Sequence, residues 1–529
     1  MFIVNSLTYK INLSESVFEN ISFSIAENEK IAVVGKNGIG KSVLFKLLMG
    51  ELRPSGGEII KNGINISYFP QKFNELNFGT VADVFGLERE ILSLQRVDDG
   101  KADVEDYEIL DGKWDSADKI KEKMKLFNLE FSLLSDFKIL SGGEKVKLIL
   151  SGILDKNANF LILDEPTNNM DYESRKTFYD FIKMWHGNIL LASHDRELLN
   201  LMDKIFELRK VGLKDTKLFI YGGNYDYWRH QKALEEHALE NDQSNSLKIE
   251  QAKKHQAERT LERFKRGYAK TGRLDQYGNL KAARTLQEMH RETSPLQQIV
   301  NSKERIRESD KNIETIQSKM EIKKNVYFKF EKNKFTNKTL IDIENMHFSW
   351  DTRQIFNNFS MIVRTGDRIA IEGKNGSGKT TLFKIIMGKI NSFTGHIKIN
   401  TRNIAHLDQN CDCLDNNLNI LENMKLHNNE LSEGGCRDIL AKFLFRTDAV
   451  YKKIYDLSGG ERLRVALACI LGRNSTPELL LLDEPTNNMD LDSVEILENI
   501  LKSYNGTIMV ISHDDTFKKN INLNAKYEI

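Results

Sequence analysis

One block of motifs occurs twice in this chain, in the same order. GKNGIGKS at 35–42 returns as GKNGSGKT at 373–380, and LSGGE at 140–144 returns at 457–461. LDEPTNNMD at 163–171 returns at 482–490, and SHD at 193–195 returns at 512–514. Self-similarity on this scale means two copies of one folding unit, which a chain of 529 residues already favours over a single core. Lys41 to Lys379 is 338 residues, whereas Glu165 to Glu484 and His194 to His513 are both 319. Gln71 to Ser141 spans 70 residues and Gln409 to Ser458 only 49, so the first copy carries an insertion within Asp98–Asp118 or nearby.

Residues 229–337 have no counterpart in either copy and are rich in Lys, Arg, Glu and Gln. Ala233–Glu262 and Ser302–Lys324 read as long polar helices with sparse apolar positions, that is, a helical hairpin whose arms pair with each other. Gly267–Asn279 contains three glycines and predicts a turn or loop. The expected fold is α/β: two P-loop domains, 1–228 and 338–529, in tandem and joined by a long α-helical hairpin linker at 229–337.

Each copy opens with an apolar strand (IAVVG, IAIEG), then a glycine-rich loop, then a helical pattern (LFKLLMG, LFKIIMG). That order is what a phosphate-binding loop needs. Gly35, Lys36, Asn37, Gly38, Ile39 and Gly40, and in the second copy Gly373, Lys374, Asn375, Gly376, Ser377 and Gly378, would turn backbone N–H groups toward phosphate at a helix N-terminus. Lys41 and Lys379 would reach the β- and γ-phosphates of ATP; Thr381 follows on the second loop. Ser42 and Thr380 would offer hydroxyls to Mg²⁺.

FLILDE and LLLLDE read as buried strands ending in paired carboxylates. Asp164 and Asp483 would hold Mg²⁺, and Glu165 and Glu484 would act as general bases on the attacking water. Gln71 and Gln409 follow short strands, where an amide can touch both metal and water. His194 and His513 each follow an apolar strand and precede Asp, placing an imidazole where it can hydrogen-bond the γ-phosphate. In LSGGE, the glycines Gly142, Gly143, Gly459 and Gly460 permit close approach to phosphate, while Ser141 and Ser458 donate a hydrogen bond.

This motif set resembles the ATP-binding cassette proteins across both copies. The resemblance implies a head-to-tail sandwich. One site would join Lys41, Ser42, Asp164, Glu165 and His194 to Ser458 and Gly460; the other would join Lys379, Thr380, Asp483, Glu484 and His513 to Ser141 and Gly143. Both sites are expected to be competent, with a monomer closing on two ATP. Tyr9 and Trp350, ahead of the two loops, are candidates for stacking on adenine, as family members do with an aromatic there.

Glu at the end of both signatures, YGGNYDYW at 221–228 and the charged linker together resemble the ABC-F family, twin-cassette proteins that act on the ribosome. That likeness implies a linker reaching from the exit site toward the peptidyl-site tRNA, in a translation factor or an antibiotic-resistance ribosome-protection protein. Charge fits such a partner. The whole chain balances 76 basic against 76 acidic residues, so any nucleic-acid footprint must be local. Arg263–Arg291 supplies one: Arg263, Lys265, Arg266, Lys270, Arg273, Lys281, Arg284 and Arg291 face only Asp275 and Glu288. Phe264, Tyr268 and Tyr277 are interleaved, and RNA recognition combines such charge with aromatic stacking.

Two other readings compete: an ATPase engine for a separate membrane partner, and a DNA-repair-type ATPase. No apolar run approaches the roughly 20 residues of a membrane helix, and MFIVNSLTYK lacks the build of a signal peptide. A soluble cytoplasmic protein without membrane insertion is expected. Of the four cysteines, Cys411 and Cys413 form CxC rather than CxxC, which reads as structural thiols.

Overall fold

The computed structural model describes residues 2–12, 15–70, 78–155, 158–168, 170–211, 215–274, 303–313, 338–351, 353–408, 410–473, 476–487 and 489–529. The chain divides into two compact units: Met1–Trp228 together with Val326–Ile529, and Arg229–Asn325.

The first unit contains both cassettes. In the first, β1 (Phe2–Asn12), β2 (Glu15–Ile25) and β4 (Gly56–Lys61) form an antiparallel sheet in the order β2-β1-β4. A second sheet runs β5-β6-β7-β3-β8-β9, from β3 (Lys30–Val34), β5 (Ile66–Phe69), β6 (Phe160–Asp164), β7 (Asn188–Ala192), β8 (Lys204–Val211) and β9 (Asp215–Gly222). Its strands are parallel except for β9, which runs antiparallel to β8. The second cassette repeats this plan. β10 (Thr339–Trp350), β11 (Arg353–Arg364) and β13 (Thr394–Ile399) form β11-β10-β13. β12 (Arg368–Glu372), β14 (Ile404–Leu407), β15 (Leu479–Asp483), β16 (Thr507–Ile511) and β17 (Ala525–Glu528) form the parallel sheet β14-β15-β16-β12-β17.

The continuous apolar runs follow from burial on both faces of a parallel sheet. Side chains alternate across a strand, and the cores obey that rule. Leu161, Leu163 and Leu191 enter the core beneath the helices, while Phe160, Ile162 and Leu190 enter the core shared with β1 and β2. Leu480, Leu482 and Val510 part in the same way from Leu479, Leu481 and Met509. Carboxylates at the carboxyl ends of β6 and β15 are thereby held on the rims of fully buried strands.

The insertion in the first cassette is helical. Thr80 and Asn419 are matching helix caps in matching isolated bridges, and the helices Ser116–Lys125 and Glu433–Lys442 also correspond. Between these landmarks the first cassette adds the helices Glu88–Asp98 and Val104–Ile109, so the insertion starts about ten residues before Asp98. Ion pairs Arg96–Asp106 and Lys113–Glu90, both 2.6 Å, tie it down.

The helix Tyr225–Leu274 supplies the second unit from Arg229 onward and includes the expected Ala233–Glu262. It passes through Gly267 and Gly272, so the turn expected at Gly267–Asn279 does not begin before residue 275, and 275–279 lie outside the described residues. A glycine inside a helix costs only about 1 kcal/mol, which a 50-residue helix absorbs. A described helical stretch at 303–313 pairs with it: Lys254 lies 2.7 Å from Asp310, and Glu250 accepts hydrogen bonds from Ser309 and Asn312. In the basic segment, the side chains of Arg263 and Arg266 are exposed; Phe264, Lys265 and all the rest lie outside the described side chains.

Candidate functional site

Each glycine-rich loop joins an interior strand of its sheet, β3 or β12, to a helix, Lys41–Met49 or Lys379–Ile386. Gly40 and Gly378 have φ near +110° and cap these helices, a left-handed conformation that favours glycine. A Cβ at Gly40 would lie 2.7 Å from Val17 and 2.8 Å from Phe18; one at Gly378 would lie 2.3 Å from Ile355. The β1–β2 and β10–β11 hairpins are thus laid against the loops. Ile39 turns its side chain into the core, so only its backbone is available to a ligand. Tyr9 pairs with Phe18 in the hairpin, half-buried; Trp350 is half-exposed at the end of β10, edge-on to Phe348.

The structure brings the loop, the strand-end carboxylates and the histidine together in each cassette. Lys41 Nζ donates to the Gly35 carbonyl at 2.8 Å and lies 3.1 Å from His194 Nε2. Lys379 Nζ donates to the carbonyls of Gly373 and Lys374, at 2.7 and 2.9 Å. Ser42 hydrogen-bonds Asp164, and Thr380 Oγ1 donates to Asp483 Oδ2 at 2.8 Å. His194 Nε2 stands 3.3 Å from Glu165 Oε1, and His513 Nε2 3.3 Å from Glu484 Oε1. Asn37, Gly38, Gly40, Lys41, Ser42, Asp164, Glu165, Asn168 and His194 line one cavity.

Both glutamates occupy the left-handed region, with φ of 48° at Glu165 and 47° at Glu484. Such strain in a non-glycine residue persists only when its surroundings hold it. Here the Glu165 and Glu484 N–H groups donate to Ala192 and Ile511 carbonyls, at 2.8 and 2.9 Å, on the neighbouring strand. Burial pushes both carboxyls up to about 7. Burial also holds Lys41 and Lys379 below their usual range, while burial and then the neighbouring lysine depress His194 well below its usual value and His513 to about 4. The imidazoles are therefore neutral at pH 7, and the glutamates are near half-ionised. As only the carboxylate accepts a proton, kcat/KM for ATP should rise with pH through about 7 and level off above it. A pH–rate profile checks this; a rate independent of pH between about 6 and 8 would contradict it.

Hydroxyl and carboxylate side by side, at Ser42–Asp164 and Thr380–Asp483, are a hard oxygen set that suits Mg²⁺. Glu165, whose Oε1 is buried without a hydrogen-bond partner among the described residues, lines the same cavity as Ser42 and Asp164. Gln71 and Gln409 lie outside the described residues.

The two sites are linked across the cassettes. Asp171 accepts a hydrogen bond from the Asn375 N–H on the opposite loop, and its charge acts on Lys379; Asp490 acts likewise on Lys41. Glu173 pairs with Lys374 at 3.2 Å. Ser141 and Ser458 cap their own signature helices, each paired with the Glu three residues on. A Cβ at Gly143 or Gly460 would lie 2.2 or 2.5 Å from Ser174 or Ser493 Oγ of the same cassette. Among the described residues these contacts of the signatures are local to each cassette.

Sequence reasoning missed three polar residues at the cassette interface. Arg196 and Glu498 form a buried ion pair at 2.7 Å, and Arg175 donates to the His513 carbonyl at 3.3 Å. The signal was present at an offset of 319, where the copies differ: Arg175 against Val494, Tyr179 against Glu498 and Arg196 against Asp515. The four cysteines are free; burial pushes the Cys411 thiol up to about 12 and Cys413 to about 11, as inert structural thiols require. No helix among the described residues is long and apolar enough to cross a membrane.

Fold and site define an ATPase with twin ATP-binding cassettes, and comparisons agree. The ABC transporter family model matches residues 18–168 and 356–487. The ATP-binding protein Uup of Buchnera aphidicola subsp. Schizaphis graminum is 32% identical over 95% of this chain and 77% of its own length. The ribosome protection protein VmlR of Bacillus subtilis is 28% identical over 97% of this chain and 84% of its own. Among solved structures, the archaeal ribosome recycling factor aABCE1, in complex with the stalk protein aP1, has a TM-score of 0.59 at 19% identity, over 98% of this chain and 86% of that one, a likeness of fold. The chain belongs to the ABC-F family of ATP-binding cassette proteins.

Proposed function

We propose that this protein is a cytoplasmic translation-associated ATPase that binds the ribosome at its exit site while its two cassettes are closed on ATP. The observation that carries the ATP-driven clamp is the reciprocal reach of Asp171 and Asp490 toward the opposite phosphate loops. It supports two composite sites, each completed by the other cassette's signature: Ser458 and Gly460 with Lys41, Ser141 and Gly143 with Lys379. Ser42 with Asp164, and Thr380 with Asp483, would hold Mg²⁺, which supplies positive charge to the phosphates. Lys41 and Lys379 neutralise phosphate charge. Neutral His194 and His513 donate to a phosphate oxygen, and Glu165 and Glu484 take the proton of the attacking water.

The domains are 1–228 and 338–529 for the cassettes and 229–337 for the linker. Within the linker, 263–291 would contact rRNA and the peptidyl-site tRNA; its +6 balance in a chain of net zero supports this. The relation to a ribosome protection protein over nearly the whole chain supports the same partner. The protein acts as a monomer, opening after hydrolysis to leave the ribosome.

Sedimentation with ribosomes tests this. The Glu165→Gln, Glu484→Gln double variant should pellet with ribosomes in ATP and be released in ADP. An equal distribution in both nucleotides, or stronger retention by DNA than by ribosomes at matched salt, would overturn the reading.

A further inference from the structure

The cassette interface treats the two sites differently. The helix Tyr172–Met184 starts at Asp171, which binds the second phosphate loop through the Asn375 N–H. One turn further, Arg175 Nη1 donates to the His513 carbonyl at 3.3 Å and lies 3.8 Å from Asp195, which also accepts from the Tyr179 hydroxyl. The His513 ring is 3.3 Å from Glu484. This helix therefore touches the second site at two points: its phosphate loop, and the backbone that aims its histidine. The matching helix of the second cassette, Leu491–Ser503, has Val494 in place of Arg175, and Val494 is buried in its own cassette's core. Leu491 packs into the first cassette's core, whereas its counterpart Tyr172 is exposed.

We propose that Arg175 is a positioning residue, supplied by the first cassette to the second ATP site, and that the first site has no equivalent, so the two sites hydrolyse ATP unequally. Arg175 fixes the His513 backbone from across the interface. His513 can then meet the γ-phosphate and Glu484 in one geometry only when the cassettes are together. Closure is thereby read by the second site through a guanidinium on the His513 backbone, and by the first through the charge of Asp490 on Lys41 and the Arg196–Glu498 pair, neither of which touches the His194 backbone among the contacts of the described residues. A misplacement of about 1 Å at such a group can cost about a hundredfold in rate.

The proposal rests on Glu165 and Glu484 being the hydrolytic glutamates, and the test separates the two questions. With Glu165→Gln in place, only the second site turns over; with Glu484→Gln, only the first. Arg175→Met should lower kcat about tenfold or more in the Glu165→Gln background, with KM for ATP little changed, and less than about twofold in the Glu484→Gln background. Arg175→Lys, which keeps the charge, should recover part of the loss. Equal losses in the two backgrounds for both variants would show a merely structural interface residue and overturn the proposal, as would no loss in either. If neither glutamine substitution alone lowers turnover, the glutamate assignment fails, and the proposal falls with it.

Discussion

Replacing Glu165 and Glu484 together by Gln should lower steady-state ATP turnover by about 10²–10⁴-fold, the usual contribution of a general base, while ATP binding persists. Each glutamate is held in a strained backbone by a hydrogen bond to the neighbouring strand, beside a neutral histidine. Glutamine matches the shape and keeps an acceptor, so the cavity should not collapse, but it cannot take a proton from water. The lysines and glycine loops proposed to hold phosphate are untouched. Phosphate release and equilibrium ATP binding measured on the same preparation check this; binding lost in step with turnover would mean that the glutamates hold ATP rather than activate water.

Arg196→Ala should destabilise the association of the cassettes by about 3–5 kcal/mol, because it leaves Glu498 charged and unpaired in the interface. Both side chains are 6% exposed and lie 302 residues apart in sequence. Arg196 Nε and Nη2 have no hydrogen-bond partner among the described residues, so the pair is incompletely satisfied. Replacing both partners with apolar residues of similar volume, Arg196→Met with Glu498→Leu, should restore most of the loss. Denaturant unfolding of the single and double variants gives the comparison. A double variant no more stable than Arg196→Ala would contradict the account.

The sequence made the within-cassette site legible because its chemistry depends on local spacing. A glycine loop must join a strand to a helix, and a carboxylate pair must end a buried strand; both constraints are readable over a dozen residues and occur twice. The left-handed φ of Glu165 and Glu484 was not legible, since it arises from hydrogen bonds to β7 and β16, which lie far along the chain. Arg175, Arg196 and Glu498 escaped for a related reason. They pair across copies and break the repeat, and a search for what the halves share passes over them. In the linker, three glycines suggested a turn where the helix continues to Leu274, because glycine's weak helix penalty is outweighed by the length of the element. The insertion was detected by counting alone, and its helical form rests on capping at Asp103 and on ion pairs that counting cannot see.

Two competent ATP sites are expected to form between the two cassettes of one chain. Nucleotide retained by the Glu165→Gln, Glu484→Gln variant tests this most directly. The variant is loaded with ATP and Mg²⁺, freed of unbound nucleotide and quenched for analysis. Two ATP per chain, with little ADP, is the predicted result; one nucleotide per chain, or ADP in place of ATP, would contradict it.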